Sequence, residues 1–309
     1  MQISVASSSL ISVPIIEAIN RSQHNLSSLI TLPDRKVGRG QDLTENEIAS
    51  WASNQGILVA KPQDISQINQ HLLEVQPQLV ITASYGKLIP PELLHGPRFG
   101  WLNLHFSLLP RWRGAAPVQW SILEGDEKTG ISIFKLDKGM DTGPVYLQEE
   151  IDLDDEVTTP ELLDQLSVLG GDRILDVVEM ITKGIKPKAQ SQSNITLAPK
   201  ISKEMGLVNW NHSGVAISRL VRAIGDRPGT YTFFRGAKLS IHGVRIVTSD
   251  GEERSGGSLW SDGDRLLVKA LDCTLEISEV TPAGKKRMKA ADFARGSRLS
   301  ADERFVLLG

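Results

Sequence analysis

The sequence predicts a two-domain α/β protein: a mostly parallel sheet covered on both faces, followed by a small β-barrel. Three observations predict it. At 309 residues the chain is too long for one average hydrophobic core. Its first half alternates short apolar runs with helix-like stretches, the pattern of a sheet covered by helices. Its final third holds several short apolar runs separated by glycine-rich turns, the pattern of a small barrel.

Taken in order, Ile3-Ser4-Val5 reads as a strand and Pro14 to Asn20 as the start of a helix. Leu26 to Thr31 is a second strand. Thr44 to Asn54 is helical, with Thr44 as N-cap and Glu47 three residues later as the partner of a capping box. Leu79-Val80-Ile81 and Gly100 to Leu104 are short buried strands. Gly130 to Leu153 reads as two strands joined by a glycine-rich loop, and Thr159 to Ile181 as one amphipathic helix. Polar, proline-interrupted sequence without periodicity then marks a linker. The tail has one helical segment, Val215 to Ile224, and strands at TYTFF, KLSIHGVRIV, LLVKA and TLEISEV. The expected division is an N-terminal domain at 1–182, a linker at 183–204 and a C-terminal domain at 205–309.

Composition excludes several classes. No apolar run approaches the roughly 20 residues that cross a bilayer, so no membrane role is expected. The N-terminus lacks the basic start and apolar core of a signal peptide. Cys273 is the only cysteine, which rules out an internal disulfide and any multi-cysteine zinc site. The expected setting is a reducing cytoplasm. From Met205 onward there are 16 Lys+Arg against 12 Asp+Glu, or +4, and the remainder carries 18 against 25, or −7. A basic tail on an acidic body points to a polyanionic partner for the tail.

The chemistry gathers in NLHFSLLPRWRGAAP, from Asn103 to Pro117. Residues two apart on a strand face the same way. Asn103, His105 and Ser107 can therefore project together where a strand runs out, the end at which parallel sheets bind ligands. Asn is a neutral donor for a developing oxyanion, and His moves protons near neutral pH. Asp141, in the loop KGMDTGP, is the best carboxylate to orient the imidazole. Amide, imidazole and carboxylate without an activated nucleophile point to acyl transfer in which a substrate supplies the nucleophile. An Asn-x-His pair can equally just satisfy loop backbone groups. A Ser107-His105-Asp141 hydrolase lacks a G-x-S-x-G elbow. No second His or Cys lies near His105 for zinc, so no metal is expected. Ala6-Ser7-Ser8-Ser9 stands where a nicotinamide dehydrogenase would carry its glycines.

The same residues carry a resemblance. NLHFSLLPRWRGAAPVQWSILEGD followed by TGISIFKLDKGMDTGPV resembles the signature of the methionyl-tRNA formyltransferases. PDRKVGRG, ASYGKLIP, APKISKEMGLVNW, RLVRAIGDRPGTYT and TPAGKKRMKAADFARG resemble further blocks of that family, in order along the chain. The family usually has Gly-Thr-Pro in its first strand–helix turn, where this chain has Ser8-Ser9-Leu10. The resemblance implies a Rossmann-like catalytic domain and an OB-type barrel. It implies formyl transfer from 10-formyltetrahydrofolate to the α-amino group of methionyl initiator tRNA; no metal and a monomer are expected. It places catalysis on Asn103, His105 and Asp141, and the folate site along Ser107, Leu108, Leu109 and Pro110.

Basic residues supply the expected tRNA contacts. Arg35, Lys36 and Arg39 lie in PDRKVGRG, a loop that the resemblance directs at the acceptor end of the tRNA, and Arg39 sits between two glycines. Lys285, Lys286, Arg287 and Lys289 form a short basic run that suits an RNA backbone. Such a run is also commonly a solvated turn. Arg111 and Arg113, flanking Trp112, can meet phosphate, the folate tail or surface acids. Rival readings are a formyltransferase for an amino sugar or purine intermediate, a catalytically dead tRNA-binding protein, and a hydrolase that hands formyl to water.

Overall fold

The computed structural model describes residues 1–37, 42–247 and 254–306. The chain divides into two compact units. One holds Met1–Pro117, Lys128–Asp152 and Pro160–Ala198, and the other holds Val118–Glu127, Leu153–Thr159 and the chain from Pro199 on.

A seven-stranded sheet organises the first unit. Its strands are β1 (Gln2–Ala6), β2 (Asn25–Ile30), β3 (Val59–Ala60), β4 (Leu79–Thr82), β5 (Trp101–His105), β6 (Lys128–Lys135) and β7 (Val145–Asp152). Their order is β7-β6-β5-β4-β1-β2-β3. β1 to β5 pair in parallel, β6 turns back against β5, and β7 pairs antiparallel with β6. The buried runs of β1 and β4 lack polar alternation because both faces are covered. One apolar cluster joins Ala6, Ile30, Val80 and Trp101 of the sheet to Ile68 and Leu72 of the helix Ile65–Val75. Trp101 Nε1 donates to Leu93 O at 2.8 Å, so the largest ring there leaves no polar atom unpaired.

The first strand–helix turn uses its serines. Ser8 Oγ donates to Ser84 O at 2.8 Å, and Ser9 caps the short turn Leu10–Ser12. The second helix corrects the sequence reading. Thr44 ends the short pair Arg35–Val37/Asp42–Thr44, and the helix runs Glu47–Asn54. Asn46 is the N-cap: its Oδ1 accepts from Ala49 N at 2.9 Å while Nδ2 donates to Leu32 O at 2.8 Å. Asn46 thus satisfies the helix start and the chain leaving β2 together, a link that the Thr44-Glu47 spacing does not reveal.

The second unit has two four-stranded sheets. Its strands are β8 (Thr230–Phe234), β9 (Ala237–Ile241), β10 (Val244–Val247), β11 (Leu259–Asp262), β12 (Arg265–Lys269), β13 (Thr274–Ile277), β14 (Glu279–Pro282) and β15 (Met288–Lys289). The orders are β8-β9-β14-β15 and β10-β13-β12-β11. KLSIHGVRIV and TLEISEV, each expected as one strand, both break and serve both sheets. They break together: His242 N donates to Glu279 O and Ser278 N to Gly243 O, each at 3.0 Å. A Cβ on Gly243 would lie 2.4 Å from Ser278 Oγ, so a side chain there would oblige that hydroxyl to turn away. Within this unit Trp210 stacks on Phe305 at 5.1 Å and donates Nε1 to Thr232 Oγ1 at 2.9 Å. The helix Ala290–Ser297, which the sequence reading missed, buries Ala290, Phe293 and Ala294 at helical spacing. The segment Leu153–Thr159 joins this unit too: Thr159 Oγ1 donates to Ala223 O at 2.7 Å and Arg222 Nη1 to Val157 O at 2.8 Å.

Candidate active site

Asn103 and His105 sit on β5, between a parallel and an antiparallel neighbour. Asn103 is in register with Thr82 of β4 and Phe134 of β6, and His105 with Ser132. Alternation along the strand points both side chains the same way. The Asn103 carboxamide is partly exposed and takes no hydrogen bond from the described residues. His105 is 5% exposed, with Phe134 edge-on at 6.3 Å. Its Nε2 lies 2.9 Å from Trp112 O. A carbonyl only accepts, so Nε2 carries the proton and Nδ1 is free to gain one.

Asp141 faces that second nitrogen. Its Oδ2 is 3.8 Å from His105 Nδ1, beyond a hydrogen bond but within ion-pair reach. The same oxygen accepts the Gly114 amide at 2.8 Å, which ties the carboxylate to the segment after Trp112. Two left-handed residues aim these groups: Trp112 at φ 62° and Asp141 at φ 55°. A bulky residue holds such a conformation only when its surroundings impose it. Trp112 N donates to Thr196 Oγ1 at 2.8 Å, and the Arg111 guanidinium lies 4.3 Å above the Trp112 ring. The carbonyl that meets His105 is thereby fixed. Gly114 must be glycine, because a Cβ there would lie 2.5 Å from Ala198 O.

Ser107 to Pro110 form a turn held from β6 and β7. Ser132 Oγ donates to Ser107 O at 2.6 Å and accepts from Leu109 N at 3.0 Å. Gln148 Nε2 donates to Leu109 O at 2.8 Å and Ser132 Oγ at 2.9 Å. Ser107 Oγ donates to Arg111 O at 2.6 Å, so it is engaged in the turn rather than with His105. The Leu109–Pro110 peptide is cis. Ser132, Gln148 and the Trp112 carbonyl escaped the sequence reading, since nothing in their local sequence marks them.

The basic candidates fall elsewhere. Arg35 is exposed on its short strand, Lys36 lies on the same strand, and Arg39 lies outside the described residues. Lys285, Lys286, Arg287 and Lys289 are all exposed. Arg287 pairs with Asp226 at 3.2 Å and Glu279 at 2.7 Å. Arg113 donates to Gln190 and meets no acid there. Among the described residues no three His, Cys, Asp or Glu gather in a group that could hold a metal. No helix among them is long and apolar enough to cross a membrane.

Known proteins resemble this chain along its whole length. The family described as "Formyl transferase" matches residues 1–178, and "Formyl transferase, C-terminal domain" matches residues 200–298. A methionyl-tRNA formyltransferase of Salinispora tropica is 37% identical over 307 residues, spanning 98% of this chain and 99% of its own. One from Thermobifida fusca is 35% identical over 308 residues, spanning 99% of each. Among solved structures, the methionyl-tRNA formyltransferase from Clostridium thermocellum shares the fold at TM-score 0.59 and 17% identity, over 90% of this chain and 98% of that one. HypX from Aquifex aeolicus in complex with tetrahydrofolic acid does so at TM-score 0.69 and 15% identity, over 95% of this chain and 47% of that one. With near full-length relatives of one kind and both domain families matched in order, this chain belongs to the methionyl-tRNA formyltransferase family.

Proposed function

We propose that this protein transfers the formyl group of 10-formyltetrahydrofolate to the α-amino group of methionyl initiator tRNA, for translation initiation. The observation that carries the reading is an Asn103 carboxamide without a hydrogen-bond partner among the described residues, two residues along the same strand from the buried His105, which faces Asp141. The full-length relatives support the choice of substrates.

The donor folate supplies an activated formyl carbon. The chain's task is to place the amine and to manage charge and proton. An α-amine titrates at about 8, so a sizeable neutral fraction exists at neutral pH without a strong base. As nitrogen attacks, negative charge gathers on the formyl oxygen, where the Asn103 N–H and a protonated His105 are suitable donors. Asp141 balances the imidazolium, and Trp112 O keeps the ring from turning. The Asp141 carboxylate takes the amine's proton through water as the new C–N bond forms and returns it to the folate nitrogen as its C–N bond breaks. Ser107, Leu108, Leu109 and Pro110 face the folate; their anchoring by Ser132 and Gln148 supports a preformed surface there.

Residues 1–182 act as the catalytic domain, 183–204 as the connector and 205–309 as an OB-like tRNA-binding domain. Two sheets sharing two runs of chain support the OB-like reading. Lys285, Lys286, Arg287 and Lys289 there, with Arg35, Lys36 and Arg39 of the first unit, contact the tRNA. The protein works as a cytoplasmic monomer. The test offers 10-formyltetrahydrofolate with charged initiator tRNA, charged elongator methionine tRNA and amino sugars in parallel. Formylation of the initiator species is expected. Formate release without an acceptor, or formylation of the sugars alone, would overturn the reading.

A further inference from the structure

Gln190 lies in the stretch that reads in sequence as a polar connector, yet its side chain is turned inward and it is 8% exposed. Nε2 donates to the carbonyl oxygens of Asp141 and Gly143, each at 2.8 Å. Oε1 accepts from Nε and Nη2 of Arg113 at 3.1 and 2.7 Å. One buried carboxamide therefore clamps the Asp141 loop to the Arg113–Gly114 segment. Those two segments meet again at the carboxylate itself, where Gly114 N donates to Asp141 Oδ2. The backbone around Gln190 is stitched down on both sides. Val145 and Lys188 exchange N–H···O bonds at 2.7 and 2.8 Å, Arg113 N donates to Thr196 O at 3.0 Å, and Ala115 N donates to Ala198 O at 2.8 Å. A run without periodicity is thus a fixed strap over the loop.

We propose that Gln190 is a positioning residue that holds Asp141 at its working distance from His105. The physical need is specific. Asp141 occupies a left-handed backbone conformation and reaches the imidazole only at 3.8 Å. The Gly114 bond holds only the carboxylate, whereas the Gln190 bonds hold the loop's backbone. Pinning the Asp141 and Gly143 carbonyls removes the freedom by which the loop would swing away. Reacting groups displaced by about 1 Å lose on the order of a hundredfold in rate.

Because this rests on the reading of Asp141 as the partner of His105, the test pairs kinetics with a measurement that needs no activity. Gln190→Leu keeps the volume and removes all four bonds. Gln190→Glu keeps acceptors for Arg113 and removes both donations to the loop. Both variants should lose about a hundredfold in kcat with KM for each substrate within about twofold. In an Asp141→Asn background the same changes should cost little further, since the residue they serve is already impaired. In hydrogen exchange, the Gly114 amide and the 137–144 segment should exchange at least about tenfold faster in Gln190→Leu, with protection elsewhere preserved. Gln190→Glu at parental kcat would show that anchoring Arg113 is all Gln190 does. Full additivity with Asp141→Asn, or unchanged exchange at Gly114, would equally overturn the inference. A parental protein that formylates nothing, with exchange behaving as stated, would count against the formyl-transfer reading and leave the clamp standing.

Discussion

Ser132 Oγ lies 2.6 Å from the Ser107 carbonyl oxygen, and the same hydroxyl accepts the Leu109 amide. One side chain on β6 therefore holds Ser107 and Leu109 of the turn proposed to face the folate. Ser132→Ala leaves the buried Leu109 N–H unsatisfied, which costs about 1–3 kcal/mol. The expected outcome is a lower denaturant midpoint and weaker folate binding by equilibrium titration. Parental folate affinity in a variant that has lost stability would detach the turn from the donor site.

Asn103→Ala should lose turnover rather than binding. Removing one oxyanion donor from comparable acyl-transfer sites costs about 3–4 kcal/mol. The check is kcat at saturating donor and acceptor. Near-parental turnover would remove Asn103 from the chemistry.

His105 and Asp141 should behave as one unit, because the carboxylate acts through the imidazolium. The His105→Ala/Asp141→Ala double variant should be little slower than the slower single variant. Losses that simply add would mean separate tasks.

Acid should weaken the first unit through a buried hydroxyl–imidazole chain. Ser4 Oγ bonds Ser28 Oγ at 2.9 Å, and Ser28 Oγ bonds His71 Nε2 at 2.8 Å. Burial holds the His71 imidazole below its ordinary value, with Glu74 opposing. The folded chain then binds fewer protons than the unfolded one. Its contribution is present above the ordinary histidine value of about 6.5 and is lost as pH falls through the lower folded value. His24 adds the same sign, its imidazole held low by burial and by the N-terminal charge. Denaturant midpoints should drop from about pH 7 to about pH 5, and His71→Gln should flatten that slope. A slope unchanged by His71→Gln would assign the acid sensitivity elsewhere.

Lys285 and Lys286 should act on tRNA through phosphates. Replacing both with Ala is expected to raise KM for tRNA, to reduce its salt dependence, and to leave folate binding alone. An unchanged salt slope would make the run an ordinary solvated turn.

Much of this was legible in advance, and the parts that were not share a cause. Asn103 and His105 are readable because strand alternation puts them on one face. The long helix is readable because its apolar period is sustained: Thr159 to Ile181 was expected and Thr159–Thr182 is found. Asn46, Ser132, Gln148 and Gln190 were not legible. Each works by bonding backbone groups distant in sequence, and only tertiary closure decides which carbonyl a carboxamide or hydroxyl meets. KLSIHGVRIV misled for the opposite reason. Its composition favours a strand throughout, whereas the break at His242-Gly243 comes where the run passes from one sheet to the other beside Ser278-Glu279.

The Trp210–Phe305 stack carries a consequence for how the protein is made. During synthesis Trp210 appears well before Phe305, the ring that lies flat against it and also meets Phe234 edge-on. Domains tend to fold as units while the chain emerges. A nascent chain halted short of Phe305 would display the Trp210 and Phe234 rings to any chaperone or protease nearby. An unfinished copy of this enzyme would therefore be recognisable as unfinished.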